Sequence, residues 1–453
     1  MSGWKKVKIG DICKIVKGTT GIANAEPGKY PLVVTAEERK TCSTYQFDCE
    51  AVCIPLVSSS GHGKKSLKNV HYQSGKFALG TILCAVIPNN PQELDARYLH
   101  QYLQFYKDII LVPLMKGAAN VSLSMKDIAT VEFPLPPIER QRELSNLFVS
   151  LQEKQKELSA EYEKQTDYAK LLRQNILQQA IEGKLTADWR KSHPVIKGNP
   201  DYDAEALFEK IQKERNSEKK QIELSTITDE EKPFEIPEGW KWVRLGEIAE
   251  ILGGNAYKSY AFKEEGVNLV LRLGNIRTGY LRYEASPAFI SDVIANETEN
   301  YKVLKDDIIV TMTGTRGKKD YLYTLLIDDD HVSKYKMFLN QRLAKIRSKC
   351  ISKYVYGVLQ HETLKEPIFE SATGSANQAN IGMPALQKWV VPFPPLAEQK
   401  EIVNKVETLL AKVTTLENQI QDRKSLSDKL IFGIIKENLE GVENERRTSN
   451  SKN

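Results

Sequence analysis

No run of about eighteen apolar residues occurs in this chain, which removes a membrane-spanning helix from its expected elements. The opening residues, Met1-Ser2-Gly3-Trp4-Lys5-Lys6, lack the apolar stretch of a secretory leader, so a cytoplasmic protein is expected. There is no phosphate loop. Gly61-His62-Gly63-Lys64-Lys65-Ser66 and Gly314-Thr315-Arg316-Gly317-Lys318-Lys319 carry glycine and lysine at the wrong spacing for one. No dinucleotide-binding Gly-x-Gly-x-x-Gly follows a strand. His361-Glu362 has no second histidine to complete a zinc-protease motif, and no Asn or Asp precedes the Pro-Pro pairs as a base-methylating loop requires. The six cysteines form no Cys-x-x-Cys pair. Cys42, Cys49 and Cys53 with His62 and His71 would make a poorly spaced zinc set, and reduced, partly buried thiols are the expected state. The chain is therefore expected to be no enzyme, with neither metal nor cofactor of its own.

What is present is repetition. Gly3-Trp4-Lys5-Lys6-Val7-Lys8-Ile9-Gly10-Asp11-Ile12 returns 236 residues later as Gly239-Trp240-Lys241-Trp242-Val243-Arg244-Leu245-Gly246-Glu247-Ile248. Pro136-Pro137-Ile138-Glu139-Arg140-Gln141 returns 258 residues later as Pro394-Pro395-Leu396-Ala397-Glu398-Gln399. The stretches between these phrases do not visibly repeat and differ in length. Two similar frames thus hold two different contents. At 453 residues the chain exceeds a single core, and 41% apolar with 27% charged residues suits a folded protein. A net charge of +5 is compatible with an anionic partner without implying one.

After each proline phrase comes a long segment with helical periodicity. Ile402, Val406, Leu409, Val413, Leu416 and Ile420 follow heptad spacing, which resumes at Leu430 and Ile434. The first copy carries the same register in Leu144, Phe148, Leu151, Leu158, Tyr162, Leu172 and Ile176, with polar entries at Gln155, Gln165, Arg423 and Ser427 that weaken the seam and set its register. So narrow a stripe needs a partner. The expected partners are each other, as an antiparallel coiled coil; the alternative is two helices packed on their own domains. The fold class is therefore α+β: two pseudo-repeated mixed α/β domains, each followed by a long helix. The expected boundaries are a first domain at 1–137, a helix at 138–182, a linker at 183–235 containing a short helix around Ala204 to Lys213, a second domain at 236–394, a helix at 395–440 and a polar tail at 441–453.

The middles carry donor-rich, glycine-bearing loops. Ser58, Ser60, His62, Lys64, Lys65 and Lys68 crowd one loop, and Thr313, Thr315, Arg316 and Lys318 another. Loop amides and lysines suit phosphates, and arginine suits guanine. Asn120, Asn377 and Gln378 lie in two further loops ahead of the proline phrases, where amide side chains match adenine edges or serve as turns. Asn275 and Arg277 lie in a basic, aromatic run from Arg272 to Tyr283, readable as a DNA contact or as an exposed strand edge.

At these residues the chain resembles the specificity subunit of type I restriction–modification enzymes. The resemblance rests on Ile236-Pro237-Glu238-Gly239-Trp240, on Pro394-Pro395-Leu396-Ala397-Glu398-Gln399, and on Ile176-Leu177-Gln178-Gln179-Ala180-Ile181-Glu182-Gly183-Lys184-Leu185 followed by Ala187-Asp188-Trp189-Arg190. It implies two target recognition domains that each read one half of a split double-stranded DNA sequence, held apart by the helices. It implies docking of two methyltransferase subunits that use S-adenosylmethionine to modify adenine, and, in restriction-competent systems, restriction subunits using ATP and Mg²⁺. One departure stands out: Arg140 occupies the place of Glu398. The competing expectation is a coiled-coil scaffold with two protein-binding heads, whose binding would ignore DNA.

Overall fold

A computed structural model describes residues 4–60, 63–217, 224–375 and 377–439. No helix among them is long and apolar enough to cross a membrane. The chain divides into two compact units, one from residues 1–164 with 420–453 and one from 165–419.

In the first unit, Lys5–Lys8 pairs antiparallel with Glu132–Leu135, Lys5 opposite Leu135. In the second, Lys241–Arg244 pairs with Val390–Phe393, Lys241 opposite Phe393. The repeated phrases have become the same ladder in the same register. Further bonds repeat with it. The Ile9 amide donates to the Val131 carbonyl and the Leu245 amide to that of Trp389. The hydroxyls of Tyr98 and Tyr354 donate to the carbonyls of Pro134 and Pro392, each at 2.9 Å.

Proline lacks an N–H and presets φ, so Pro-Pro ends each ladder and starts a helix. The helices are α1, Ile138–Ile181, and α2, Leu396–Leu439. One fully buried glutamine ties each helix to its domain. Gln141 Nε2 donates to the carbonyls of Pro136 and Glu93, and its Oε1 accepts from the Asp95 amide. Gln399 Nε2 donates to the Pro394 carbonyl, and its Oε1 accepts from the Ile351 amide. Asp95 and Ile351 are the N-caps of Ala96–Ile110 and Ser352–Leu359, so each glutamine couples two helix starts. Gln399→Leu fills the same space but strands two buried backbone groups. It is expected to cost about 2 kcal/mol by urea unfolding, with Gln141→Leu costing about as much; unchanged stability would refute the assignment.

The middles share a topology as well. The first unit has an antiparallel sheet in the order Cys13–Lys17, Leu83–Pro88, Ala51–Pro55, His71–Gln73. Its second sheet includes the parallel pair Tyr30–Val33 and Lys76–Leu79. The second unit has Ala249–Gly253, Leu343–Ser348, Ile308–Thr311 and Thr324–Leu326 in one sheet, and the parallel pair Asn268–Leu271 and Lys336–Leu339 in another. Strand alternation divides side chains between two cores. Val52 and Ile54 face one cluster while Ala51 and Cys53 face another; Ile308 and Val310 likewise part from Ile309. Burial on both faces explains why these strands read as continuous apolar runs.

The long helices run antiparallel to each other within each unit. In the first, Arg140 bonds Asn438, Gln155 bonds Asp428, and the Tyr162 and Ser427 hydroxyls meet at 2.8 Å. In the second, Arg173 meets Thr414 and Glu417, and Ala169 and Ile176 pack with Val413. The helix starts also join the domain cores: Leu144, Phe148 and, at its edge, Leu151 in the first unit, Ile402 and Val406 in the second. Within each unit the helices thus contact each other and also pack on the domain core.

Part of the expected seam is corrected. Leu172, Leu416 and Leu430 are 45%, 46% and 62% exposed, while Ile431 is buried instead and Arg173 and Glu417 are half-buried against each other. Val406, Val413 and Ile420 form one inward column, and the second column lies four residues on rather than three. Residues three and four apart both share a helix face, so each leucine three residues on competes with its successor for the seam, and packing against the partner helix decides which turns in. The expected linker is corrected too. Ala204–Ser217 is a helix whose Ala204, Leu207 and Ile211 are buried in the second unit's core, and Phe234 and Ile236 pack against it. The expected tail at 441–453 lies outside the described residues.

Among the described residues no three His, Cys, Asp or Glu gather as a metal site. Cys42 and Cys53 sit in separate apolar clusters, and burial pushes the Cys13 and Cys84 thiols up to about 12. Desolvation and the neighbouring Arg39 guanidinium push His71 down to about 4, so it remains neutral.

Candidate nucleic-acid interface

The loops picked out separately in the sequence come together in pairs. In the first unit, the chain leaving Ala51–Pro55 bridges at Val57 to Ser122, and the Ser58 amide donates to the Val121 carbonyl at 3.0 Å. The 58–68 loop thereby lies against the 116–122 loop. In the second unit, the chain leaving Ile308–Thr311 pairs Thr313 with Asn380 and Gly314 with Ala379, and the Ile381 amide donates to the Met312 carbonyl. The 312–319 loop thereby lies against the 372–380 loop.

Both second loops turn at a glycine with positive φ, +124° at Gly117 and +106° at Gly374. A Cβ would lie 2.2 Å from the Asn120 carbonyl oxygen at the first and 2.4 Å from that of Gln378 at the second. Only glycine fits so tight a turn. The turns present Asn120, Asn377 and Gln378, all exposed.

Several candidates prove to be engaged in folding the loops. Ser58 Oγ donates to the Lys64 carbonyl and accepts from the Ser66 amide, and the Ser60 and Ser66 hydroxyls meet at 2.7 Å. Thr315 gives its amide to Asp320 at 2.5 Å. Arg316 crosses to the partner loop, donating to the Ala372 carbonyl at 2.6 Å, and Lys319 is paired with Glu366. Thr313 Oγ1 is buried without a hydrogen-bond partner. The groups left facing outward are Lys64, Lys65 and Lys68 in the first unit and Lys318 in the second. His62 lies outside the described residues.

Asn275 is corrected outright. It is fully buried, its Nδ2 donates to the carbonyls of Arg282 and Ala285, and its Oδ1 accepts from the Arg272 amide. It folds the hairpin of Ile276–Arg277 with Tyr280–Leu281 and has no edge left for a base. Arg277 lies on that hairpin, its guanidinium 5.4 Å from the Tyr323 ring centroid. Beside it opens a hollow of about 570 Å³, lined also by Arg272, Arg282 and Arg342. Arg342 carried no signal of its own: it is a lone arginine about 65 residues from the basic run, and only the parallel pairing of Leu271 with Leu339 brings the two segments together.

The last buried polar centre is Glu398, 1% exposed. It accepts from Thr186 Oγ1 at 2.6 Å, Arg190 at 2.5 Å and Trp240 Nε1 at 2.7 Å. Arg140, its counterpart, instead forms exposed contacts with Glu143 and Asn438.

A family model described as the type I restriction modification DNA specificity domain matches residues 1–165 and 237–423. The EcoAI specificity subunit of Escherichia coli is 29% identical over 58% of this chain, and that match spans only 44% of the relative's own length. The EcoDI specificity subunit, also of Escherichia coli, is 23% identical over 97% of this chain and 88% of its own. Among solved structures, a chain of a type I R-M system superposes with a TM-score of 0.65 at 16% identity, covering 96% of this chain and 97% of that one. The HsdS subunit from Thermoanaerobacter tengcongensis gives 0.54 at 16% identity, covering 97% of each. At such identities the likeness is one of fold.

Proposed function

Because the chain belongs to the type I restriction–modification DNA specificity family, we propose that it reads a double-stranded DNA target in two separated parts, one through each repeated domain. The observation that carries this reading is a ladder repeated in identical register beneath two loop pairs of different content. Equal frames suit equal placement on a duplex; unequal loops suit unequal half-sites. A two-fold symmetric reader meets a palindrome. Two unlike readers meet an asymmetric, interrupted site.

On this reading the chain is a cytoplasmic, non-catalytic adaptor. The long helices act as an antiparallel coiled coil that spaces the readers and receives two methyltransferase subunits. S-adenosylmethionine belongs to those partners, and ATP and Mg²⁺ to a restriction subunit where one is present.

The test is methylome sequencing of a host expressing this chain with its neighbouring methyltransferase, against a strain lacking only this chain. The expected result is a bipartite motif, methylated at adenine on both strands, that vanishes with the chain. Identical methylomes would refute the reading.

A further inference from the structure

The hollow beside the second unit's hairpin is built unlike anything at the matching place in the first. Arg272, Arg277, Arg282 and Arg342 line it, and no aspartate or glutamate does. None of the four forms an ion pair among the described residues. Tyr257 and Phe262 wall one side, the Arg272 guanidinium lying 5.7 Å from the Phe262 ring centroid. Arginine cannot shed its proton to relieve crowding, so the positive charge these four bring to the lining of one hollow repels until an anion enters.

The matching place in the first unit follows from the shared topology. The Gly18 amide donates to the Leu83 carbonyl as that of Gly254 does to Leu343, and Val33 pairs with Leu79 as Leu271 pairs with Leu339. Val34 therefore stands where Arg272 does, and Ile82 where Arg342 does. Val34 is buried in an apolar cluster and Ile82 packs at the edge of another. Where the second unit builds its hairpin, the first turns straight back to pair Lys40–Cys42 with Tyr30–Leu32. The cationic hollow is a property of one reader only. The loop pair of that same reader needs such help, since Arg316 and Lys319 are engaged within the protein.

We propose that this hollow is a phosphate site, receiving the sugar–phosphate backbone of the DNA half-site read by the second domain. The inference rests on the DNA-reading function proposed above and adds where that reader grips the duplex. Phosphate contacts fix register and carry no sequence information themselves. The hollow should accordingly contribute affinity to every sequence alike.

The experiment measures binding of the full chain, purified with its co-expressed methyltransferase partners, to a fluorescent duplex of ~40 base pairs of mixed sequence between about 50 and 200 mM salt. For Arg272→Ala/Arg342→Ala, affinity at the low-salt end is expected to fall roughly tenfold or more, and the slope of log affinity against log salt to shrink by about 1 for one phosphate lost. Arg342→Lys, which keeps the charge on a smaller change, should retain most of the slope, and the methylated motif should stay the same. An unchanged slope in the double variant, with wild-type binding intact, overturns the phosphate site and leaves the DNA-reading function standing. A motif relaxed at one position with the slope unchanged overturns it in favour of guanine reading. A wild-type complex that does not bind the duplex defeats both.

Discussion

Glu398→Ala should cost the second unit about 3 kcal/mol, whereas Arg140→Ala at the repeated position should change the first by no more than about 0.5 kcal/mol. The difference follows from burial. Glu398 is 1% exposed and accepts from a hydroxyl, a guanidinium and an indole. Those donors come from the stretch after α1 and the start of the second domain, so one carboxylate joins three segments at the first turn of α2, where the helix dipole also favours negative charge. Truncation leaves Arg190, whose side chain is only 22% exposed, without its counter-ion. Arg140 and Glu143 are 43% and 64% exposed, and water replaces such a pair at little cost. Urea unfolding followed by hydrogen exchange within each unit would separate the two. Equal losses would show that the buried carboxylate is no keystone.

The second large effect concerns recognition itself. Removing residues 162–168 from α1 and 421–427 from α2 keeps the antiparallel partners on either side in step and shortens each helix by ~10 Å at ~1.5 Å per residue. That length corresponds to about three base pairs, which turn a duplex by roughly 100°, since a full turn takes about 10.5 base pairs and ~34 Å. A heptad rotates a straight helix by only about 20°. On the function proposed above, methylation of the native motif is expected to disappear or to move to a motif with a shorter unread interval. Native methylation at wild-type level would refute the spacer.

The two long helices and the buried strands were legible because each follows from local chemistry: Pro-Pro stops a strand, a long helical periodicity makes a helix, and β-branched runs make strands buried on both faces. The interior of the seam was less so. Leu172, Leu416 and Leu430 match the heptad as letters, yet packing against the partner helix gives the contact to their successors Arg173, Glu417 and Ile431. Polarity misled at the candidate interface. Asn275 reads as a base-contacting amide and is a buried turn brace, and Ser58 and Ser60 read as phosphate ligands and hold their own loop closed. Arg342 gave no signal because its neighbours in space are set by strand pairing rather than by sequence. The helix from Ala204 to Ser217 was visible, but its docking was not, since a few apolar residues among many charges look the same on a tether and on a strut.

The ends of α1 and α2 have a consequence for biosynthesis. Ala180 and Ile181, where α1 finishes, complete the second unit's core, and Leu439, the last described residue of α2, is buried in the first unit's. The first unit draws on residues 1–164 and 420–453. A ribosome adding ~5–20 residues per second needs about 13 to 50 seconds to cross the stretch between them. For that interval the nascent first domain waits with the Phe105 ring, which meets Phe432 in the folded chain, uncovered, a standing client for chaperones, and it closes only once α2 has been made. A stalled chain ending before residue 420 should be cut readily by protease within its first 164 residues, and the finished chain should resist.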